Sequence, residues 1–391
     1  MKKAIVPVAL ATALGFSQQV NAVNFDGFLS AGFALHDQED TSYLDTITDD
    51  IRFDNDSKFG LQVTADVAEN MQAVAQILAA GADENFDLDI EWAYVDWRLN
   101  NVMSLRAGKV KEPVFLISDY IEVGYAYPWI RPPQEVYRNN PITTINGMEA
   151  LFQTNFSNMS LIFQPYIGTN TEAVPGTNDA VQFDASNFYG AALQLASRAF
   201  TLQMSFLQTD VATSGAILGT DSAPDPTGAR NATLTSYNAQ GEASLVSAGL
   251  SWDVNNFVGY TEYVTRDITN TGGAGLAPID GLFPDQDAWY VTLGYRMGNF
   301  LPHMTFANSE AEPVTGGSPG VTQDSITLGL RYEINNSAAF KFEVQSITPE
   351  CGPNPGCTAG SSGLFTQGSL PGDFNDGDSA TMISAAVDII F

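Results

Sequence analysis

The amino-acid sequence predicts an all-β protein, a 16-stranded antiparallel transmembrane β-barrel with an inward-folded third extracellular loop. Runs of alternating apolar and polar residues recur along the chain, and the connections between them are alternately short and long. The last run, Ser379–Phe391, keeps this alternation up to an aromatic carboxy-terminal residue. Because no sheet edge can stay unpaired in lipid, we expect this last strand to close a barrel.

The predicted strands form hairpins that are closed by short turns. The first strand, Asn24–His36, is followed by Lys58–Val67 and Met71–Ala80, which are joined at 68–70. The later hairpins are Leu88–Leu99 with Val102–Val110, Thr143–Asn155 with Met159–Gly168, Asn187–Ser197 with Phe200–Thr209, Glu242–Val254 with Phe257–Arg266, Ala288–Met297 with Leu301–Asn308, and Ser325–Ile334 with Ala339–Ile347. With the terminal strand the count is sixteen, and bacterial barrels have an even number.

The long connections occupy the alternate gaps, at residues 37–57, 81–87, 111–142, 169–186, 210–241, 267–287, 309–324 and 348–378. Short turns at one end and long loops at the other are typical of outer-membrane barrels. Within each strand we expect the apolar face to contact lipid and the polar face to line the lumen, as for Leu293 outside and Thr292 inside. Interfacial girdle positions are predicted for Trp92, Trp97, Trp252, Tyr295 and Phe391.

Composition agrees with this fold class and indicates a single domain. Residues 1–22 read as a secretory signal peptide, with Lys2 and Lys3 before a short apolar stretch and a small-residue cleavage site at Ala22. Residues 23–391 are then one outer-membrane β-barrel domain. Hydrophobic residues make up 44% and charged residues only 16%, whereas a soluble domain carries about 25% charged residues.

The charge balance excludes one class of function. Without Lys2 and Lys3 the chain has 14 basic residues against 45 acidic ones, a formal charge of −31. We therefore expect no nucleic-acid partner, since such proteins neutralise phosphates with basic residues. The acidic loops either provide solubility or concentrate cations at the mouth of the barrel.

The two cysteines, Cys351 and Cys357, lie in a Pro/Gly-rich loop and are predicted to form a local disulfide. A transition-metal site would need more ligands nearby, so no cofactor is expected. Acidic clusters such as Asp49, Asp50 and Asp54 match no calcium-loop spacing and are interpreted as solvated or lipopolysaccharide-bridging carboxylates.

The scarce basic residues are informative because seven of them fall on predicted strands at positions that face the lumen. An arginine that faced lipid at mid-depth would be destabilising by about 2–4 kcal/mol. These residues either line the pore or pair with inward carboxylates such as Asp66, Asp96, Glu262, Glu333 and Glu343. The seven are Lys58, Arg98, Arg106, Arg266, Arg296, Arg331 and Lys341.

The third long connection differs from the others because it is rich in large apolar residues and proline. A solvated loop has no reason to carry these residues, so we expect it to fold into the lumen and narrow it, with a subunit contact outside the barrel as the alternative. Inside the lumen, Asp119 and Glu122 would face the basic wall. The large residues include Phe115, Tyr120, Tyr125, Tyr127, Trp129 and Tyr137.

These features together resemble the Gram-negative porin superfamily. The resemblance rests on the signal, the sixteen strands, the long third loop, the hairpin that contains Tyr94–Arg98 and Leu105–Lys109, and the terminal Phe391. It implies a homotrimer in the cell outer membrane, with Asp119 and Glu122 on the acidic side of the constriction and Arg98 and Arg106 on the basic side. The segment Tyr125–Pro133 lacks the compact acidic motif of enterobacterial porins.

The function expected from this resemblance is passive diffusion of small hydrophilic solutes through a water-filled channel, with weak cation selectivity. The residues expected at the constriction are Asp96, Arg98, Arg106, Asp119, Tyr120, Glu122, Arg296 and Arg331. The alternative is a substrate-specific channel in which Tyr120, Tyr125, Tyr127 and Trp129 form an aromatic lining. A barrel hydrolase around His303 and a plugged structural barrel are further alternatives, and no enzyme activity is expected.

Overall fold

A computed structural model describes residues 23–391 apart from 40, 45, 82–85, 174–180, 221–231, 237, 274–275, 277–278, 282, 315–319, 352–363 and 368–377. The predicted signal peptide and Cys357 lie outside the described residues. The signal and the disulfide therefore stay predictions.

Sixteen antiparallel strands form the barrel, which confirms the predicted fold class. The strands are β1 Val23–His36, β2 Lys58–Ala68, β3 Met71–Ala80, β4 Leu88–Arg98, β5 Met103–Lys111, β6 Thr144–Phe156, β7 Met159–Ala173, β8 Val181–Ala196, β9 Phe200–Thr220, β10 Ala239–Val254, β11 Phe257–Asn270, β12 Gln286–Tyr295, β13 Phe300–Ala311, β14 Val321–Asn335, β15 Ala338–Cys351 and β16 Ala380–Ile390. Strand β9 pairs with β10 along most of its length. A short segment before β10, Ala232–Ser236, pairs with the far end of β9.

The terminal strand closes the barrel as the sequence predicts. Strand β16 pairs with β15 on one side and with β1 on the other, where Phe28 lies opposite Ile390. The Phe391 amide donates to the Gly27 carbonyl at 3.0 Å, so the last residue also belongs to the hydrogen-bonded ladder. In the described part of the chain this closure leaves the barrel sheet without a free edge, which is the condition for a barrel in lipid.

The two faces of the strands are separated as expected. On β12 and β14 the outward Leu293 and Leu328 are 57% and 56% exposed, whereas the inward Thr292 and Thr327 are buried. In a bilayer the outward side chains contact lipid, which removes them from water. The girdle prediction was wrong for Trp92, which is buried. Trp92 has the same parity as Tyr94, whose ring lies inside the barrel beneath Arg106.

Several strands extend further towards the long loops than predicted. Strand β9 reaches Thr220 instead of Thr209, and β7 reaches Ala173 instead of Gly168. Above the lipid belt both faces of a strand meet water, so the apolar alternation ends while the hydrogen bonds of the ladder continue. The sequence signal therefore marks the width of the apolar belt and not the end of the strand.

The short turns lie at one end of the barrel and have the backbone that tight hairpins need. Asn255 and Asn256, between β10 and β11, have φ angles of +50° and +71°. Two successive positive φ angles are the geometry of a type I′ turn, in which asparagine is favoured. None of the helices in the described part of the chain is long and apolar enough to cross a bilayer.

At the opposite end, the first and last long connections fold over part of the mouth. Thr41–Tyr43 pairs with Phe365–Gln367 to form a two-stranded sheet. Tyr43 and Ile47 are fully buried against the inner faces of β1, β15 and β16. This side of the lumen is covered from above, and the third loop lies beneath it.

Candidate pore constriction

The third loop, residues 112–143, enters the barrel and packs against the inner face of the opposite wall. It leaves β5 after Lys111 and returns at the start of β6. Its apolar side chains Phe115, Trp129, Val136 and Tyr137 belong to one buried cluster with inward residues of strands β7–β13. The apolar content of this loop is therefore explained by burial inside the lumen, and the inward fold predicted from the sequence is confirmed.

The first part of the loop is fixed to β9 and β11 by buried polar groups. Glu262 accepts hydrogen bonds from the Leu116 amide at 2.8 Å and the Tyr137 hydroxyl at 2.9 Å. The Ser205 hydroxyl donates to the Val114 carbonyl at 2.8 Å. The short helical turns of the loop satisfy part of its backbone groups. Inward side chains satisfy others, such as the Leu116 amide and the Val114 carbonyl, because the loop has no strand partner inside the barrel.

The middle of the loop is held by Lys341, which is fully buried. Its ammonium donates to the carbonyls of Gly124 at 2.6 Å and Trp129 at 2.5 Å, and it lies 2.8 Å from the Asp388 carboxylate. Asp388 also accepts a hydrogen bond from Ser30 at 2.6 Å. One lysine thus satisfies two loop carbonyls and neutralises a buried carboxylate.

Arg331 makes a similar attachment nearby. Its guanidinium donates to the carbonyls of Tyr125 and Tyr127 at 2.6 and 2.8 Å, stacks over the Tyr125 ring, and pairs with Glu333 at 2.8 Å. Arg131 of the loop reaches in the other direction and pairs with Asp56. The inward basic residues of this wall therefore mainly fix the loop in place.

Trp129 is the apolar anchor of the loop. Its side chain is 1% exposed, and its indole N–H lies 3.1 Å from the Thr292 hydroxyl and 3.0 Å from that of Thr305. Tyr127 is equally buried. Neither ring faces the lumen, so the predicted aromatic lining loses two of its four members.

The free edge of the loop carries Asp119, Tyr120 and Glu122. Tyr120 is 37% exposed and borders a cavity of about 160 Å³ together with Asp119 and Arg106 on the wall. Lys58 lies 3.1 Å from the Glu122 carboxylate. The predicted acidic edge and basic wall are thus brought together at these two points.

Arg106 does not face the lumen as an isolated charge. Its guanidinium lies 2.9 Å from Asp96 and 3.2 Å from Glu149, and it covers the Tyr94 ring at 5.3 Å. With Asp119 across the gap, one guanidinium is surrounded by three carboxylates. Lys58 and Glu122 balance each other, so this part of the wall has a net negative charge.

The position of Asp119 changes its titration. Solvent in the lumen reaches its side chain, yet the surrounding protein raises its pKa above the ordinary value, while Arg106 and Lys111 oppose that shift. A raised pKa means that Asp119 takes up a proton at a higher pH than an ordinary aspartate does. The charge of the loop edge consequently depends on pH.

The remaining predicted site residues lie elsewhere in the lumen. Arg98 ends β4 at the short-turn end and is exposed. Arg296 is also at the short-turn end, where it forms a bidentate pair with Asp253 at 3.0 and 2.9 Å. His303, the histidine of the hydrolase alternative, packs against Gly329 with its Nε2 4.0 Å from Glu343.

Sequence reasoning missed several residues that shape the constriction. Glu149 and Asp388 have inward parity on β6 and β16, and the strand alternation could have identified both. Asp56 and Arg131 lie in long connections, where no periodicity marks a partner. Their pairing follows only from the way the two loops fold over each other.

Comparison with known proteins gives a likeness of fold. The outer-membrane-expressed OmpT of Vibrio cholerae superposes with a TM-score of 0.61 at 12% identity, covering 96% of this chain and 99% of that one. An anion-selective porin from Comamonas acidovorans gives 0.60 at 12% identity, with 95% and 100% covered. The outer membrane channel DcaP of Acinetobacter baumannii gives 0.53 at 11% identity, with 96% and 99% covered.

No family model matches the sequence, and no curated protein matches it either. Sequence identities of 11–12% are too low to transfer substrates or site residues from these structures. The agreement extends over nearly the whole chain. The chain has the fold of the outer-membrane porins.

Proposed function

We propose that this protein is an outer-membrane channel for passive diffusion of small hydrophilic solutes and ions, with a weak preference for cations. The observation that carries the proposal is the third loop, which crosses a closed barrel and presents a charged edge to a charged wall. The fold likeness to porins supports it.

In this mechanism the gap between the loop edge and the wall around Arg106 limits the size of the solute. Rings of lumen side chains set the charge preference, as in other channels. The mechanism needs no cofactor and no catalytic group. It does need a rigid loop, and the buried contacts of Lys341, Arg331 and Trp129 supply that rigidity.

Weak cation preference is favoured by the balance of charge at the constriction. The carboxylates of Asp96, Asp119, Glu122 and Glu149 outnumber the two cations Arg106 and Lys58. The overall charge of the protein acts in the same direction by concentrating cations at the mouth. Pairing reduces the effect, because each cation lies beside at least one carboxylate.

Conductance of the purified protein in a planar bilayer tests the proposal. We expect stable, ohmic steps, and a reversal potential across a KCl gradient that favours potassium modestly. Swelling of liposomes in sugars of increasing size would give the size limit. Absence of channels in correctly folded protein would contradict the proposal, and a strongly anion-favouring reversal potential would contradict the selectivity.

A substrate-specific channel is the alternative. It predicts saturable conductance that one class of solute blocks, whereas a diffusion channel gives flux that is linear in concentration. The predicted aromatic lining is weakened as support for this alternative, because Tyr127 and Trp129 are buried. Tyr120 is exposed at the loop edge.

Location and assembly belong to the same proposal. We infer a homotrimer in the outer membrane with lipopolysaccharide at its long-loop end, after removal of residues 1–22. One structure of Vibrio cholerae OmpT, at 12% identity, is described as a trimer form. Cross-linking of the detergent-extracted protein and mass spectrometry of its amino terminus test these two points.

A further inference from the structure

Beneath the third loop, at the short-turn end of the lumen, lies a cavity of about 400 Å³. Its roof is the loop segment Tyr125–Pro128. Its walls come from β9, β10, β11, β13 and β14 and from two short turns, at Ser197–Ala199 and Arg296. The cavity has no lining residue in common with the cavity beside Arg106. In the proposed channel it would border the exit path of a solute.

The charges around this cavity differ in sign from those at the constriction. Arg198, Arg296 and Arg331 line it, against the two carboxylates of Asp253 and Glu333. The net charge is +1 in a protein whose overall formal charge is −29. An anion that passed the constriction would meet a net positive charge here.

The three arginines play different roles. Arg331 is buried, and its guanidinium already donates hydrogen bonds to Glu333 and to two loop carbonyls. Arg296 presents one edge of its guanidinium to Asp253 and keeps 44% of its side chain exposed. Arg198, in the turn between β8 and β9, is exposed, and no ion pair with it is present in the described part of the chain. Two guanidinium groups therefore remain accessible to a ligand.

The site is also preorganised. The Tyr125 hydroxyl lies 3.2 Å from Glu333, and Arg331 stacks on its ring at 4.7 Å, so the roof is fixed. The bidentate contact with Asp253 holds Arg296 in one orientation. Tyr260 adds a half-buried aromatic ring to the wall. A guanidinium fork matches the geometry of a carboxylate, and fixed partners reduce the entropy lost on binding.

We propose that this cavity is a binding subsite for small organic carboxylates, formed by Arg296 and Arg198 with Tyr260 and Tyr125 beside the hydrocarbon part. The proposal rests on the proposed channel function. A permeating carboxylate would be retained briefly at the short-turn end, although the constriction itself disfavours anions. Access from the two ends is unequal, because only a solute from the long-loop end must first pass Asp119.

The test uses benzoate as the probe and benzamide as its neutral counterpart. Benzoate added on the short-turn side of single channels should produce brief blocks at millimolar concentration, and benzamide should not. Benzoate from the long-loop side should block less often. Titration calorimetry of the detergent-extracted protein measures the same binding without any need for conduction.

Arg296→Gln and Arg198→Gln should each weaken benzoate binding about tenfold, the size expected for loss of a charge-assisted hydrogen bond. Both side chains are exposed, so folding should be preserved. Arg98→Gln removes the same charge at the same end of the barrel but outside the cavity, and should leave benzoate binding unchanged.

The outcomes separate the two proposals. Absence of conductance would contradict the channel function, whatever calorimetry shows. Normal conductance with equal effects of benzoate and benzamide, or with equal losses in the Arg98 and Arg296 variants, would overturn the carboxylate subsite alone.

Discussion

The attachment of the third loop through Lys341 makes a prediction about channel behaviour. Lys341→Met removes the ammonium group while keeping a flexible side chain of similar length. The Trp129 carbonyl then loses its donor, and the Gly124 carbonyl keeps only the Tyr127 amide at 3.5 Å. Asp388 is left as a buried carboxylate without its cation. We expect the third loop to detach from β15 and β16 around Gly124 for part of the time. Detachment allows water in the lumen to hydrate Asp388.

The size of this effect follows from the buried ion pair. Removing one partner of such a pair destabilises the buried arrangement by about 3–5 kcal/mol. Each unsatisfied carbonyl adds about 1–3 kcal/mol as long as it stays dry. The ion-pair term alone shifts the ratio of attached to detached loop by roughly two to three and a half orders of magnitude. The remaining anchors at Trp129 and Glu262 keep the detached state local.

Single-channel recording is the assay. Wild-type channels should show quiet open states, whereas Lys341→Met channels should show increased open-state noise, a second conductance level and a larger size limit in liposome swelling. Lys109→Met is the matched control. Lys109 lies on β5, outside the third loop, and its ammonium contacts the Ile90 carbonyl at 2.7 Å.

Restoring charge balance provides a second control. Adding Asp388→Asn to the Lys341→Met variant removes the unpaired carboxylate, so the double variant should be quieter than the single one. The reasoning would be refuted if the single variant, folded and inserted normally, had the noise and size limit of the wild type. It would also be refuted if the double variant were noisier than the single one.

Three further predictions concern selectivity and packing. Arg106→Gln should raise the potassium-to-chloride permeability ratio measured from reversal potentials, because three carboxylates lose their shared cation; an unchanged ratio would place the selectivity elsewhere. Lowering the pH should reduce cation preference at a pH above the range of ordinary aspartates, since Asp119 has a raised pKa. Asp119→Asn should make that step smaller and should shift selectivity in the same direction. Gly259→Val should destabilise the barrel by about 1–3 kcal/mol in urea unfolding, because a Cβ at Gly259 would lie 2.0 Å from the Trp252 ring. Gly273→Ala is the control and should be neutral, because a Cβ at Gly273 would have no atom within 4 Å.

The strand pattern and the closure of the barrel could be predicted because they are local consequences of alternation. Each strand has to present apolar residues to lipid and polar residues to the lumen, so its own residues reveal both faces. Leu293 and Thr292 illustrate this, as does the terminal strand up to Phe391. The girdle prediction for Trp92 was wrong because it used only the type of residue and its place near the end of a strand. The parity of position 92 points the side chain into the barrel.

The inward fold of the third loop could also be predicted, because its burden of aromatic residues required burial somewhere. The sequence did not show which of these aromatic residues face solutes. Tyr127 and Trp129 look like Tyr120 in the sequence, yet they pack against the far wall while Tyr120 lies at the edge. The difference arises from contacts with Thr292 and Arg331, which are more than 150 residues away in the chain.

The sequence by itself determined the barrel, its sixteen strands and the inward parity of the basic residues. Both causes are local to each strand: side chains alternate between the two faces, and a charged side chain that faced lipid would be destabilising. Only the tertiary structure decided what those basic residues do. Lys341 and Arg331 satisfy loop carbonyls, Arg106 is surrounded by carboxylates, and Arg296 stays accessible beside a cavity. The physical reason is that parity fixes the direction of a side chain, whereas its partner depends on how a long loop crosses the lumen.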